Sequence, residues 1–384
     1  MLPEGWKSTT LGKMNLDISD GNYSSKYPCA SDFMEAGIPF LRANNIQSGT
    51  VNDDDMRFIS VQKHNELQKG HLQKEDILIT TRGDIGQISL VPERHIDSNI
   101  NAQIVRINSN GFQNNLYLFH YFSFCKINGK FEPLTTGTAL KQLPIGRLRL
   151  LSILLPPLPE QKKIAAILST WDRAIEGTEK LLANSQQQKK ALMQQLLTGK
   201  KRLPGFRGEW KKKTLSNICQ IKTGKKDVNE GCENGKYPFF TCAKQHTFSE
   251  NYSYDCEAIL IAGNGEVGKT HYYNGKFEAY QRTYILSDFT NISVFFLLHF
   301  IEFFLPLDIS KEKQHGAMPY IKLGTLKDFS VLTPPLPEQQ AIAAVLSTAD
   351  EEITAIESDL TRLRQEKKAL MQQLLTGKRR VTVD

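Results

Sequence analysis

The sequence lacks any apolar run near the roughly 20 residues needed to cross a bilayer. Its longest candidate, Val294-Phe-Phe-Leu-Leu-His-Phe-Ile301, has eight residues and contains a histidine. The amino terminus lacks a basic patch followed by an apolar stretch, so no signal peptide is expected. The six cysteines (Cys29, Cys125, Cys219, Cys232, Cys242 and Cys256) form no close pair of the kind that binds zinc or cycles redox state. Free thiols in a cytoplasmic protein are the economical reading.

Catalytic signatures are missing as well. There is no His-Glu-x-x-His, no nucleophile elbow and no glycine-rich turn leading into a helix. The Pro-Pro pairs are followed by leucine, not by the aromatic residue of the amino-methylating DNA methyltransferase motif. Gly263-Asn-Gly-Glu-Val-Gly-Lys-Thr270 does fit the phosphate-binding pattern G-x-x-x-x-G-K-[ST]. A phosphate loop needs a helix directly after it, so that the helix N-terminus faces the phosphates. Here His271 to Phe277 reads as strand and turn, which predicts a β-hairpin with an exposed Lys269. The eight histidines, His64, His71, His246 and His315 among them, are scattered and read as surface or structural residues. No metal or cofactor is expected on this chain.

What the chain does have is a repeat. Pro156-Pro-Leu-Pro-Glu-Gln-Lys-Lys-Ile-Ala-Ala-Ile-Leu-Ser-Thr-Trp-Asp172 returns as Pro334 to Asp350 with 13 of 17 positions identical, and Lys189 to Lys200 returns unchanged as Lys367 to Lys378. Both matches share an offset of 178 residues, so the chain is a duplicated half-molecule. Each copy opens with prolines tolerated in a first helical turn and closes on a glycine, Gly199 or Gly377, suited to the left-handed helix stop. Between them apolar positions step by threes and fours: Ile164, Leu168, Trp171, Ile175, Leu182 and Leu192 in the first copy, with Thr178, Ser185 and Lys189 as polar interruptions. The second copy gives Ile342, Leu346, Ile353, Ile356, Leu360, Leu363 and Leu370, interrupted at Lys367. This spacing predicts a coiled-coil seam, and a helix over 160–198 would be a rod of roughly 58 Å. Pairing of the two tethered rods, antiparallel, is favoured by their high effective concentration, with a homodimeric coiled coil as the alternative.

The segments between the rods read as sheet-rich. Runs such as Ile38-Pro-Phe-Leu41, Ile77-Leu-Ile79 and Ile104-Val-Arg-Ile107 alternate with turn residues, and a helical stretch lies at Leu116 to Phe124. The second segment echoes the first: Ile77-Leu-Ile79, Gly83 and Ile85-Gly86 against Ile259-Leu-Ile261, Gly265 and Val267-Gly268. The expected order is a domain over 1–155, a helix over 156–200, a second domain over 201–333, a second helix over 334–378 and a tail over 379–384. The tail Leu374-Leu-Thr-Gly-Lys-Arg-Arg380 would lead into Leu2-Pro-Glu-Gly-Trp6 as Leu196 to Arg202 leads into Trp210. The fold class expected is α+β, with two sheet-rich domains separated by two long antiparallel helices in a pseudo-two-fold, circular arrangement. The charge balance, +7 from 48 basic and 41 acidic residues, permits nucleic-acid binding without proving it.

Pro157-Leu-Pro-Glu-Gln161 with Ile164-Ala165, Pro335-Leu-Pro-Glu-Gln339 with Ile342-Ala343, and the two Leu-Leu-Thr-Gly endings resemble the DNA-specificity subunits of type I restriction–modification enzymes. The resemblance covers essentially the whole chain. It implies that the sheet-rich segments are target-recognition domains, each reading half of a split DNA sequence, and that the helices set the gap between half-sites. It further implies docking of two methyltransferase subunits, which methylate adenine N6 with S-adenosylmethionine, and of motor-nuclease subunits that use ATP and Mg. The specificity subunit itself would be non-catalytic and bind no cofactor. Base readers are then sought among arginine, asparagine, glutamine and lysine in loops beside strands: Arg42, Asn44, Asn45 and Arg82 in the first domain, and Lys244, Gln245, Asn264 and Lys269 in the second. Lys222, Lys225, Lys226, Lys311 and Lys313 are candidates for phosphate. A coiled-coil adaptor for proteins and a stand-alone nuclease remain alternatives.

Overall fold

The computed structural model describes residues 2–21, 25–47, 49–311 and 320–382, with the side chain of residue 311 excepted. Each repeat begins where a short antiparallel strand pair ends. Lys7–Thr10 pairs with Ser152–Leu155, and Lys211–Thr214 pairs with Ser330–Thr333. The second strand of each pair feeds a helix of 39 residues, Leu158–Leu196 and Leu336–Leu374. Pro159 and Pro337 lie in the first turns, where a missing N–H costs nothing. Gly199 (φ +71°) and Gly377 (φ +73°) take the left-handed conformation just past the last turn. The N–H groups of Lys201 and Arg379 then return to the carbonyls of Gln195 and Gln373, both at 3.1 Å.

The chain divides into two compact units, Met1–Gly177 with Leu360–Asp384, and Thr178–Asp359. The cuts fall in the middle of the long helices, not at their ends. The physical reason is that the two halves of each apolar stripe are buried in different cores.

In the first unit an antiparallel sheet runs in the order Asp17–Asp20, Ile104–Asn108, Ile77–Thr80, Ile88–Leu90. Ile77-Leu-Ile-Thr80 is buried on both faces, which explains its unbroken apolar run. Arg106 inside this sheet is neutralised by Asp17 at 2.5 Å and Asp76 at 3.3 Å. A helix, Asn115–Ile127, covers the sheet and buries Tyr117, Leu118, Tyr121 and Phe122. The same core takes Ile164, Ala165 and Leu168 from the first long helix and Met371 and Leu374 from the second, with Leu375 just past its end. Asp172 bonds Lys367, so rising positions on one helix meet falling positions on the other. The two helix segments are therefore antiparallel within this unit.

The second unit has a six-stranded sheet in the order Gln220–Thr223, Thr283–Ser287, Tyr254–Ala262, Thr270–Ala279, Tyr237–Phe240, Thr247–Ser249. Its covering helix is Val294–Lys311. Met193, Leu196 and Leu197 join Ile342, Ala343 and Leu346 in its core, and Lys189 bonds Asp350. The antiparallel arrangement recurs. Among the described residues, no helix is long and apolar enough to cross a membrane.

Candidate functional site

The Pro-Glu-Gln signature ties each domain to its long helix. Glu160, 2% exposed, accepts the Trp6 indole N–H at 3.1 Å and is gripped by Arg380 at 2.7 and 2.9 Å. Its counterpart Glu338 is gripped by Arg202 at 2.5 and 2.6 Å. Gln161 accepts the Asn114 backbone N–H at 3.1 Å and donates to the Pro156 carbonyl at 2.9 Å. Gln339 does the same with the Ser293 N–H and the Pro334 carbonyl, each at 2.8 Å. Each glutamine thus locks the entry of a covering helix onto the entry of a long one.

Along the predicted seam, Ile164, Leu168, Ile342, Leu346, Ile356 and Leu360 are buried. Trp171, Ile175, Leu182, Leu192, Ile353, Leu363 and Leu370 are half-buried. Met193 and Met371, one position beyond Leu192 and Leu370, are the more deeply buried residues and were not anticipated. The polar interruptions Lys189 and Lys367 find acidic partners in Asp350 and Asp172. That role was legible in principle, because both lysines and both aspartates recur at the 178-residue offset.

Two equivalent hairpin turns carry the candidate readers. One joins Ile77–Thr80 to Ile88–Leu90, and the other joins Tyr254–Ala262 to Thr270–Ala279. Both use two left-handed glycines, Gly83 and Gly86 (φ +73° and +77°), and Gly265 and Gly268 (φ +61° and +81°). The Gly86 N–H bonds the Thr80 carbonyl at 2.9 Å, and the Gly268 N–H bonds the Ala262 carbonyl at 2.8 Å. The phosphate-loop look-alike is therefore a β-hairpin, with Ile261 paired to Thr270. Beside it lies a cleft of about 580 Å³ lined by Lys269, Thr270 and Glu302. Burial pushes the Glu302 carboxyl up, but hydrogen bonds from His299 and Thr270, with Lys189 nearby, hold it below its ordinary value. An anionic wall is a poor host for a phosphate.

Arg82 and Lys269 are exposed, and Asn264 is half-buried. Arg82 lies next to a protruding loop, in which Thr136 and Gln142 exchange backbone bonds at 2.8 and 2.9 Å and Leu140 is 89% exposed. Leu143 N–H donates to the Thr81 carbonyl, as Ile321 N–H donates to Gly263. Leu140, Lys141 and Gln142 thus join the Arg82 turn, a grouping the sequence alone does not reveal across some 60 residues.

Other nominated residues fare differently. Asn45 is fully buried, with its carboxamide donating to the carbonyls of Asn52 and Asp54 and accepting from the Arg42 N–H. It shapes its loop and has no donor left for a base. Arg42 is half-buried and held by Asp55, whose carboxyl it keeps below the usual range. Asn44 is exposed. Lys226 is paired with Glu230 at 2.6 Å, whereas Lys222 and Lys225 are exposed. Lys244 and Gln245 are exposed on a loop of the second sheet. Lys311 is described only as the end of its helix, and Lys313 lies outside the described residues.

Comparison with known proteins converges on one family. A profile for the type I restriction modification DNA specificity domain matches residues 3–184 and 207–363. The EcoDI specificity subunit of Escherichia coli is 34% identical over 171 residues, which is 44% of this chain but only 37% of that protein's length. The MjaVIII specificity subunit of Methanocaldococcus jannaschii is 25% identical over 99% of this chain and 94% of its own. Among solved structures, the type I restriction–modification S subunit of M. genitalium superimposes with a TM-score of 0.67 at 17% identity, covering 96% of each chain. A chain solved to explain complex assembly and conformational transition of the type I R-M system gives 0.59 at 20% identity, covering 99% of this chain and all of that one. At these identities the structural likeness speaks for the fold.

Proposed function

Because this chain belongs to the type I restriction–modification DNA-specificity family, we propose that it is the subunit that reads a bipartite, asymmetric DNA target for such an enzyme. The observation that carries the reading is the pair of hairpin turns. Their left-handed glycines match in position, while the residues carried on them differ: Arg82-Gly-Asp in one and Asn264-Gly-Glu in the other. One scaffold bearing two side-chain sets suits two related but unequal half-sites. Phosphate contacts from Lys222 and Lys225 would fix position, and base edges would be read from Arg82, Lys141, Gln142, Lys244, Gln245, Asn264 and Lys269. The two long helices set the gap between half-sites and dock two adenine-N6 methyltransferase subunits, with motor-nuclease subunits joining for cleavage. Methyl transfer and cleavage, with their S-adenosylmethionine, ATP and Mg, belong to those partners in the cytoplasm. This chain contributes no chemistry of its own.

The test is co-purification with the methyltransferase subunits, followed by mapping of adenine methylation on genomic DNA. Methylation confined to one split motif is expected, and exchanging residues 1–155 for those of a relative should alter one half-site only. A stable complex without motif-specific methylation would point instead to an adaptor, and metal-dependent cutting by the isolated chain to a nuclease.

A further inference from the structure

Two histidines that the sequence presents as unrelated are neighbours in the first domain. His64 lies within the short helix Val61–Glu66, and His71 follows that helix, backbone-bridged to Asn99. Their rings lie 4.4 Å apart, centre to centre. Asp97 approaches from the turn before Asn99 in a left-handed conformation (φ +65°), and its Oδ1 lies 3.4 Å from His64 Nε2. One donor atom from each of the three residues can be chosen so that all lie within 4.8 Å of one another. We propose that His64, His71 and Asp97 form a binding site for a divalent transition metal of the zinc class.

Three features favour a metal over a plain ion pair. First, each imidazole already spends one nitrogen on a carbonyl oxygen. His64 Nδ1 is 2.5 Å from the Asn99 side-chain oxygen, and His71 Nε2 is 2.7 Å from the Leu67 carbonyl. With the ring protons on those two nitrogens, His64 Nε2 and His71 Nδ1 would be the lone-pair donors, the outer-shell pattern of metal-bound histidine. Second, His64 Nε2 faces the Asp97 carboxylate at 3.4 Å, and a metal ion can bridge the two in place of a proton. In a tetrahedron of 2.0–2.1 Å bonds two donors stand about 3.3 Å apart, close to the observed 3.4 Å. Third, His64 is buried, His71 half-buried and Asp97 exposed, so the site has anchored ligands and an open side for entry. Two imidazoles and one carboxylate suit zinc with a fourth position left to water. The second domain has no comparable set among the described residues.

The experiment uses the full chain stripped with chelator, titrated with zinc chloride by calorimetry and assayed for bound metal after desalting. One zinc per chain is expected, with a rise in the unfolding midpoint. Asp97→Asn keeps a residue that tolerates left-handed backbone, and His71→Gln removes a half-buried donor. As losses of a direct ligand, each should weaken zinc binding by more than the roughly tenfold lost with an outer-shell partner, and shrink the midpoint shift. Circular dichroism would confirm that both variants fold. Absence of saturable uptake would overturn the proposal, as would uptake that is equal in the wild type and both folded variants.

Discussion

Arg380 closes a two-pronged ion pair on Glu160, 220 residues away, at 2.7 and 2.9 Å. Arg380 also donates to the Glu4 carbonyl, and Val381 packs against the core that holds Trp6. The C-terminal tail thus occupies in the first unit the place that Arg202 and the inter-repeat linker occupy in the second. Arg380→Ala would leave the buried Glu160 carboxylate with the Trp6 indole alone. The unfolding midpoint of the first unit should fall, and Glu160→Gln in the same chain should restore part of it. Calorimetry of the two single variants and the double variant checks this, and strictly additive losses would refute the coupling.

Gly377 and Gly199 stop equivalent helices in unequal surroundings. A Cβ on Gly377 would lie 2.7 Å from Pro3, whereas one on Gly199 would lie 3.6 Å from Trp210. Both substitutions carry the left-handed penalty of about 1 kcal/mol. Gly377→Ala should be the more destabilising in urea melts, and equal midpoints would contradict the packing.

Leu346 is fully buried where the second long helix meets Met193 and Leu197. Leu346→Ala should cost about 2–5 kcal/mol through lost contact and residual cavity. Leu346→Asp should unfold the helix contact outright and abolish assembly with methyltransferase subunits. Persistence of both DNA reading and assembly in Leu346→Asp would contradict the helix-pairing argument.

His120 is buried beneath the first helix pair, its Nε2 3.1 Å from Ser169 and its Nδ1 3.7 Å from Asp172. Burial and the nearby Lys367 push its imidazole down to about 3 from 6.5, outweighing a backbone bond at Ala165. Unfolding takes up a proton between those values, so the stability from neutral His120 is complete above pH 6.5 and is lost as pH falls toward 3. From pH 6.5 to 5 the loss is about 2 kcal/mol. His120→Gln should flatten this slope in denaturant titrations at the two pH values, and an unchanged slope would sink the assignment.

Lys269 and Arg82 stand at matching turns and should differ in effect. As a base reader, Lys269 when replaced by alanine should relax discrimination in the second domain's half-site, so the two variants differ in the half-site they affect. Arg82→Ala should relax discrimination at one position of one half-site. Fluorescence anisotropy on matched and mutated duplexes separates the two outcomes.

Much of this was written along the chain at short range. The 178-residue repeat, the helix entries at Pro159 and Pro337, and the stops at Gly199 and Gly377 were legible because prolines, glycines and three-to-four periodicity act within a few residues. The same locality exposed the phosphate-loop look-alike, since the residues after Lys269 alternate as a strand does. Tertiary structure decided what depends on partners distant in sequence. Only packing shows that Asn45 turns inward, that Met193 and Met371 lie deeper than their leucine neighbours, and that Lys226 is already taken by Glu230. Only the folded first domain sets His64 and His71 beside Asp97. Burial and ion pairing belong to contacts across the fold, and local sequence cannot state which residue will stand opposite another.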